Sequence, residues 1–379
     1  MVEGSINLEA RAETLATSAP VGPGWRIWRR FLRHRLGLAG LAVLGLLYGA
    51  ILLGPFLAPY PFDLMHREYR HAPPTRIRFV DQEGRFHWRP FVYGLKATRD
   101  PITFQFRYEE DPSRIYPLRF FTPGEPYRLF GVIPMRVRLV GLEPGSDGRL
   151  FLLGTDRFGR DLWGRILLGG RVTLTVGVLG VVVSTAMGVV MGGLSGYYGG
   201  RLDNLIQRLI ELLRSFPTIP LWLALSMILP PHWPSHWVYF GVVTVLSLIG
   251  WTGLARVVRG QYLALREKEF VLAARALGAS DGAIIFRHIL PNIASYLIVS
   301  ATLALPGMIL GESTMSFLGL GIKEPMTSWG LLLRDAQSLQ ALQLYPWLLT
   351  PGLFIVAAVL AFNFVGDAIR DAFDPYAIQ

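Results

Sequence analysis

The sequence predicts an all-α polytopic membrane protein of six transmembrane helices, with a β-rich extracytoplasmic insert between the first and second. Three observations carry that reading. Apolar residues make up 51% of the chain and charged residues only 17%, against about 25% charged in an average soluble domain. Six apolar stretches approach the roughly 20 residues that cross a hydrocarbon core about 30 Å thick. The polar residues fall mainly into one long block and into short, often basic flanks.

The apolar stretches cover 36–57, 174–196, 216–229, 237–255, 293–318 and 347–364. The first is about twice as long as the apolar core of a secretory signal, and no small-x-small cleavage pattern follows it, so it reads as a retained anchor. The third is short. Helical residues from Leu205, with Arg208, Glu211 and Arg214 at three-residue spacing, are expected to extend it at the cytoplasmic interface.

Orientation follows from Lys and Arg in the short flanks. Arg26, Arg29, Arg30, Arg33 and Arg35 precede the first stretch, which places the N-terminus in the cytoplasm. Six crossings return the C-terminus to the same side. The loop 230–236 has no charged residue and falls outside; between Arg256 and Arg287, six basic residues face three acidic ones, and the loop falls inside. The net charge of +10 is then orientation plus a basic insert, with no call for nucleic acid as a partner. The expected organisation is a cytoplasmic tail (1–35), the first helix (36–57), the insert (63–150), a five-helix core (153–366) holding a cytoplasmic loop at 256–292, and a cytoplasmic tail (367–379).

The insert is polar, aromatic and rich in turn residues. Residues alternate in character at 76–80, 102–108 and 135–140, as half-buried strands do, and Asp81-Gln82-Glu83-Gly84 reads as a hairpin turn. A docking surface for an extracytoplasmic partner and a stabilising lid fit this pattern equally. After it, LGTDRFGRDLWGR (153–165) reads as a helix lying at the membrane surface, with Asp156 and Asp161 in ion pairs with neighbouring Arg residues.

Known chemistries find little support. The chain has no Cys, hence no thiolate metal site, disulfide or thiol nucleophile. His232 and His236 lie in a Pro/Trp-rich turn without a metalloprotease Glu between them. None of the three lysines, Lys96, Lys268 and Lys323, closes a G-x-x-x-x-G-K-[ST] phosphate loop, so that kind of ATP site is absent. One acid stands inside an apolar stretch: Glu312, beside Gly311 in the outer half of the fifth. Such acids are costly and face a cavity or a partner charge. This makes Glu312, with Ser313 and Ser316, a candidate lining for a cargo path, the other reading being a structural contact. An intramembrane enzyme would need paired catalytic groups inside the spans, and a secondary transporter would show internal repeats; neither pattern stands out.

The most informative segment is EKEFVLAARALGASDGAIIFRHILPN (267–292). It reads as two brief cytoplasmic helices broken by Gly278. The first carries an apolar stripe at Phe270, Ala273, Ala274 and Leu277. Gly278 suits a helix end that needs φ > 0, and Ser280 or Asp281 can cap the helix that follows. Ala273-Ala274, Gly278 and Leu290-Pro291 stand at the spacings of the EAA loop of bacterial ABC importer permeases, which the segment resembles. Leu272 stands where that pattern has Glu, with Glu269 one turn earlier, and His288 where it has Ile. The stretches LGTDRFGRDLWGRILLGGR, SGYYGGRLDNLIQRLIELLRSFP, GESTMSFLGLGIKEPMTSWG and AFNFVGDAIRDAFDPY look like those of the dipeptide/oligopeptide/nickel permeases, in particular the second, C-type subunit.

That resemblance implies a fold of the type I ABC importer kind in the bacterial inner membrane. It implies a non-catalytic permease that moves di- or oligopeptides, with nickel chelates, oligosaccharides or another small solute as alternatives. Its partners would be the lipid bilayer, a homologous second permease, two ATPase subunits carrying the ATP and Mg, and an extracytoplasmic solute-binding protein. The coupling residues it implies are Glu269, Phe270, Ala273, Ala274, Arg275, Leu277, Gly278, Ala279, Ser280, Leu290 and Pro291.

Overall fold

The computed structural model describes residues 23–99, 101 and 106–374. A short amphipathic helix, α1 (Pro23–Phe31), precedes α2 (Arg35–Leu52), whose first turn is capped by His34 accepting from the Gly37 amide at 2.9 Å. After α3 (Gly54–Leu57) comes a β-rich region, then α4 (Leu162–Tyr198), α5 (Gly200–Ser215), α6 (Thr218–Met227) and α7 (Ser235–Leu265). The loop helix α8 (Glu269–Ala276), the single turn α9 (Asp281–Ala283), a π-helical segment (Ile284–Ile289) and α10 (Leu290–Phe317) follow. The short α11 (Trp329–Leu333) and α12 (Leu339–Leu344) precede α13 (Thr350–Phe373).

Among the described residues five helical segments are long and apolar enough to cross a membrane, six if α5 and α6 count as one bent span. The expected helical extension of the third stretch forms, as α5, but it is not collinear with α6. The two helices meet at 93°, because Phe216 is extended (φ −92°, ψ 142°) before Pro217, the conformation that proline imposes on its predecessor.

Small residues set how closely the spans approach. On α4, Gly188, Gly192 and Gly196 form a four-residue stripe against α7. A Cβ on Gly192 would lie 2.5 Å from the Ala255 carbonyl oxygen, and one on Gly196 would lie 2.6 Å from that of Arg259. The two backbones therefore touch, the packing mode small residues permit in membranes. Between α2 and α13, Gly40 plays the same part against Ala361. The ends of these two helices also meet: Arg30 donates to the Asp374 carbonyl at 2.9 Å, and His34 lies 3.4 Å from Asp371. The start of the first span and the end of the last are thus at the same end of the bundle.

The insert holds five strands in two antiparallel sheets. The first is ordered β1 (Arg78–Val80), β2 (Phe86–Arg99), β3 (Phe106–Pro117); the second pairs β4 (Arg119–Leu129) with β5 (Ile133–Gly141). The hairpin turn at 81–84 forms, with Gly84 at φ 80° and Asp81 accepting from the Glu83 and Arg85 amides. The strand expected at 135–140 forms within β5, and of that expected at 76–80 only Arg78–Val80 is strand; of the one at 102–108, residues 102–105 lie outside the described residues. Sequence alternation missed β2 and β4, which contain Pro90, Pro123 and Pro126. Proline ordinarily argues against a strand interior, and here β4 takes up Pro123 and Pro126 where its pairing with β5 shifts register.

The expected surface helix over 153–165 is corrected. Helix begins only at Leu162, and the residues before it form a tight buried turn with Gly154 and Gly159 at φ 78° and 77°. Asp156 drives the turn by accepting from the Phe158 and Arg160 amides (2.8 and 2.9 Å). Asp161 makes no ion pair; it caps α4, accepting from Gly164 N–H at 2.8 Å. Burial pushes its carboxyl up to about 7, opposed by the Gly164 and Trp163 amides and by Arg138. The unfolded carboxyl sheds its proton near pH 4 and the folded one near 7, so the folded chain binds the extra proton between them. Stability therefore falls as pH rises from about 4 to about 7 and stays lower above. Asp161→Asn keeps the cap and removes this slope. Its melting temperature in nanodiscs is expected to exceed the parent's at pH 8 and to match it near pH 4; a constant offset at both would show that the carboxyl does not titrate in this window.

Candidate functional site

The loop between α7 and α10 is a rigid hook. Helix α8 ends in a complete Schellman motif: Ala279 N–H donates to the Ala274 carbonyl and Gly278 N–H to that of Arg275, both at 3.0 Å, with Gly278 at φ 82°. Ser280 then caps the next helix by accepting from Ala283 N–H at 3.3 Å. This second helix is not brief, as the sequence suggested. It runs through Ile284–Ile289 into α10 as one continuous 37-residue rod from Asp281 to Phe317. The π turn sits just before Pro291. There Leu290 N–H bonds to the Ile285 carbonyl, five residues back, and the wider turn accommodates a proline that has no N–H to donate.

The inner face of the hook is pinned. Val271 and Ala274 are buried, and Val271 packs with Ile284, Ile289, Ile293, Val258, Tyr262 and Tyr197, joined by half-buried Ala279 and Leu290. Arg275 donates to the Tyr197 hydroxyl at 3.2 Å, and that hydroxyl donates to Asp281 at 2.5 Å, so one tyrosine at the end of α4 holds both arms. Arg266 donates to the Gly196 and Tyr197 carbonyls at 3.2 and 3.3 Å, closing the last turn of α4. Beside it, Asp203 on α5 accepts from Arg259 through two bonds of 2.6 Å and from the Ser195 hydroxyl. Sequence reading passed over Tyr197, Asp203, Arg259 and Arg266 as site residues; the signal available was the run SGYYGGRLDN, which is not apolar although it ends a span.

The outer face of the hook is bare. Phe270, Leu272, Ala273 and Leu277 are exposed, Leu277 at 89%, and Phe286 projects beside them at 65%. The predicted stripe is therefore divided: Ala274 turns inward with Val271, and Phe270, Ala273 and Leu277 turn outward. Glu269 opens α8, where a carboxylate suits the helix dipole. Ser280 and Pro291 are exposed.

The second set of predicted residues lies elsewhere. Glu312, Ser313 and Ser316 are buried on α10, Glu312 completely. Its carboxylate accepts from the Ser316 hydroxyl at 2.6 Å and the Ser313 hydroxyl at 3.4 Å, with Ser328 and Thr173 also turned to it. Its neighbours join α10 to α4 and the start of α11.

A third cluster, read from sequence only as local ion pairs, ties the N-terminal end of α4 to the loop after α10. Arg160 makes two 2.7 Å bonds to Glu324 and one to Asp156; Arg165 bonds to Asp156 and, at 3.1 Å, to Glu324. Asp156, Arg160 and Arg165 are all at most 5% exposed. Arg157 reaches Asp335 at 3.3 Å. The pairing of Asp156 with Arg160 and Arg165 holds; the second acid on those two arginines, Glu324, some 160 residues away from them, had no sequence signal.

Spans packed backbone to backbone define a polytopic membrane protein, and its loop after α7 offers an exposed apolar face. The model of the family "Binding-protein-dependent transport system inner membrane component" matches residues 188–378, and that of the "N-terminal TM domain of oligopeptide transport permease C" matches 22–74. The chain is 42% identical over 320 residues to the oligopeptide transport system permease protein OppC of Haemophilus influenzae, covering 83% of this chain and 97% of that one. It is 30% identical over 349 residues to the dipeptide transport system permease protein DppC of Bacillus subtilis, covering 92% and 84%. Among solved structures, an inward-facing MetNI methionine ABC transporter matches with a TM-score of 0.44 and 19% identity, over 56% of this chain and 98% of that chain. The chain belongs to the family of binding-protein-dependent inner-membrane transport components: it is a multi-pass permease subunit of an ABC importer.

Proposed function

We propose that this permease imports peptides delivered by an extracytoplasmic solute-binding protein, together with a homologous second permease and two ATPase subunits that carry the ATP and Mg. The peptide assignment is supported by the names of the relatives above. The coupling assignment is carried by one observation: α8 buries one face against α4, α7 and α10 and leaves Phe270, Ala273 and Leu277 bare. A helix pinned in this way moves with its spans, so a partner seated on the bare face can transmit force to them. The start of the first span and the end of the last, which lie together, are assigned to the cytoplasmic side with this loop, supported by the arginines before α2. The deciding experiment is purification from native membranes in mild detergent, mass spectrometry of the retained proteins, and uptake of labelled peptides against nickel chelates and oligosaccharides in vesicles. Recovery of two ATPase subunits with ATP-dependent peptide uptake supports the proposal. A single-chain particle that moves solute without nucleotide refutes it, and uptake of a different solute alone removes only the cargo.

Glu312, Ser313 and Ser316 are proposed as part of the cargo path in a state where α10 and α11 part, because an acid retained inside a span carries a cost that function must offset. Glu312→Gln keeps the shape and most hydrogen bonds. Assembly is expected to be retained and uptake of cationic peptides to fall several-fold; undiminished uptake removes Glu312 from the path.

A further inference from the structure

The β4–β5 hairpin runs from the Arg119–Gly141 pair at its base to the Leu129–Ile133 pair at its tip. Its base is fixed to the outer end of the first span. The Phe121 and Phe56 rings lie 6.2 Å apart, and Arg138 donates to the Ala58 carbonyl at 2.8 Å and to that of Pro55 at 3.3 Å. Toward the tip the neighbours change in a definite order. Around Thr122 and Val140 a cavity of about 290 Å³ is shared with Tyr60, His66 and Arg149, beyond the end of the span. Around Tyr127 and Arg128 a second cavity, of about 420 Å³, is shared with Ile51, Leu168 and Arg171. Ile51 lies inside α2, and Leu168 and Arg171 lie two to three turns inside α4. The hairpin thus descends along the two helices toward the bilayer.

The tip lies one residue pair beyond Arg128, about 3 Å further along the strand. It exposes Phe130 (50%), Val132 (78%) and Ile133 (49%). Phe130 is held at φ 54°, a region that a bulky residue occupies only at a cost. No acidic residue occurs between Pro126 and Gly141, and the exposed Arg128 and Arg136 flank the turn. Arg171, which directly precedes the uncharged residues 172–200, marks the outer interface beside it.

We infer that the Phe130–Ile133 tip is a membrane anchor of the insert, its apolar side chains in the outer-leaflet acyl region and Arg128 and Arg136 on phospholipid phosphates. Apolar side chains below and arginines at the phosphate level are what an interfacial segment requires. The occupant is lipid because the tip is brought down beside this chain's own spans, to the depth where lipid surrounds them, and because its only charges are positive.

The chain contains no Cys, so single labels are clean. Val132→Cys and Ile133→Cys, each carrying a nitrobenzoxadiazole fluorophore, are compared with Gln82→Cys on the β1–β2 turn, in full-length protein purified with its retained subunits. The vesicles are phosphatidylethanolamine and phosphatidylglycerol, with doxyl lipid or aqueous iodide as quencher. Expected is several-fold stronger doxyl quenching and several-fold weaker iodide quenching at 132 and 133 than at 82. Iodide quenching equal to that at 82 overturns the inference by placing the tip in water. Protection from both quenchers overturns it as well, by placing the tip against a protein.

Discussion

Leu277→Asp is expected to abolish nucleotide-driven uptake while leaving the fold intact. Leu277 is 89% exposed and follows the last turn of α8, and its backbone is set by the Schellman bonds around Gly278 rather than by its side chain. A substitution at such a surface site changes stability by no more than about 0.5 kcal/mol. Docked on a partner, the same position is central to the bare face formed with Phe270 and Ala273, and a carboxylate there is desolvated without a counter-charge. A central interface residue of this kind costs ~2 kcal/mol or more, about a 30-fold loss of association. The check is the amount of ATPase subunit that co-purifies, with the melting temperature as control. Full retention of ATPase and uptake would move the docking face elsewhere on the loop.

Asp156→Ala is expected to have the largest effect on stability. Asp156 is 1% exposed and accepts from both Arg160 and Arg165, themselves 5% and 3% exposed, as well as from two backbone amides. Its removal leaves two buried guanidinium groups sharing Glu324 alone. Removing one partner from a buried ion cluster costs about 3–5 kcal/mol. The damage is local to the join between α4 and the loop after α10, so a lower melting temperature in nanodiscs and faster proteolysis at 318–328 should appear together. Asp156→Asn, which can keep the amide bonds of the turn, should fall between. A parent-like melting temperature for the alanine variant would mean that water already solvates the cluster.

These two sites differ in how far the sequence disclosed them. The loop proposed for coupling is built from neighbours in the chain: a glycine at the C-terminal end of a helix and a serine cap are local signals, and both occur where the residues suggested. The division of the apolar stripe between Val271 and Ala274 on one side and Phe270, Ala273 and Leu277 on the other was not legible, because it depends on where α4 and α10 stand. The outer ion cluster was half legible. Alternating Arg and Asp announced pairing, but the same pattern fits a surface helix; Gly154 and Gly159 were the discriminating residues, and positive φ at both turns the segment into a loop.

The sequence by itself determined the membrane class, the apolar crossings, the insert and the helix end at Gly278, because hydropathy over some 20 residues and turn chemistry over four are local properties. Only the tertiary structure decided that the third crossing is bent by 93°, that the second loop helix continues into α10, that Glu312 is enclosed by hydroxyls from three elements, and that one insert hairpin descends beside the first two spans. Each depends on which distant backbones touch, and that is set by the absence of side chains at positions such as Gly192 and Gly196, whose meaning appears only once α7 lies against them.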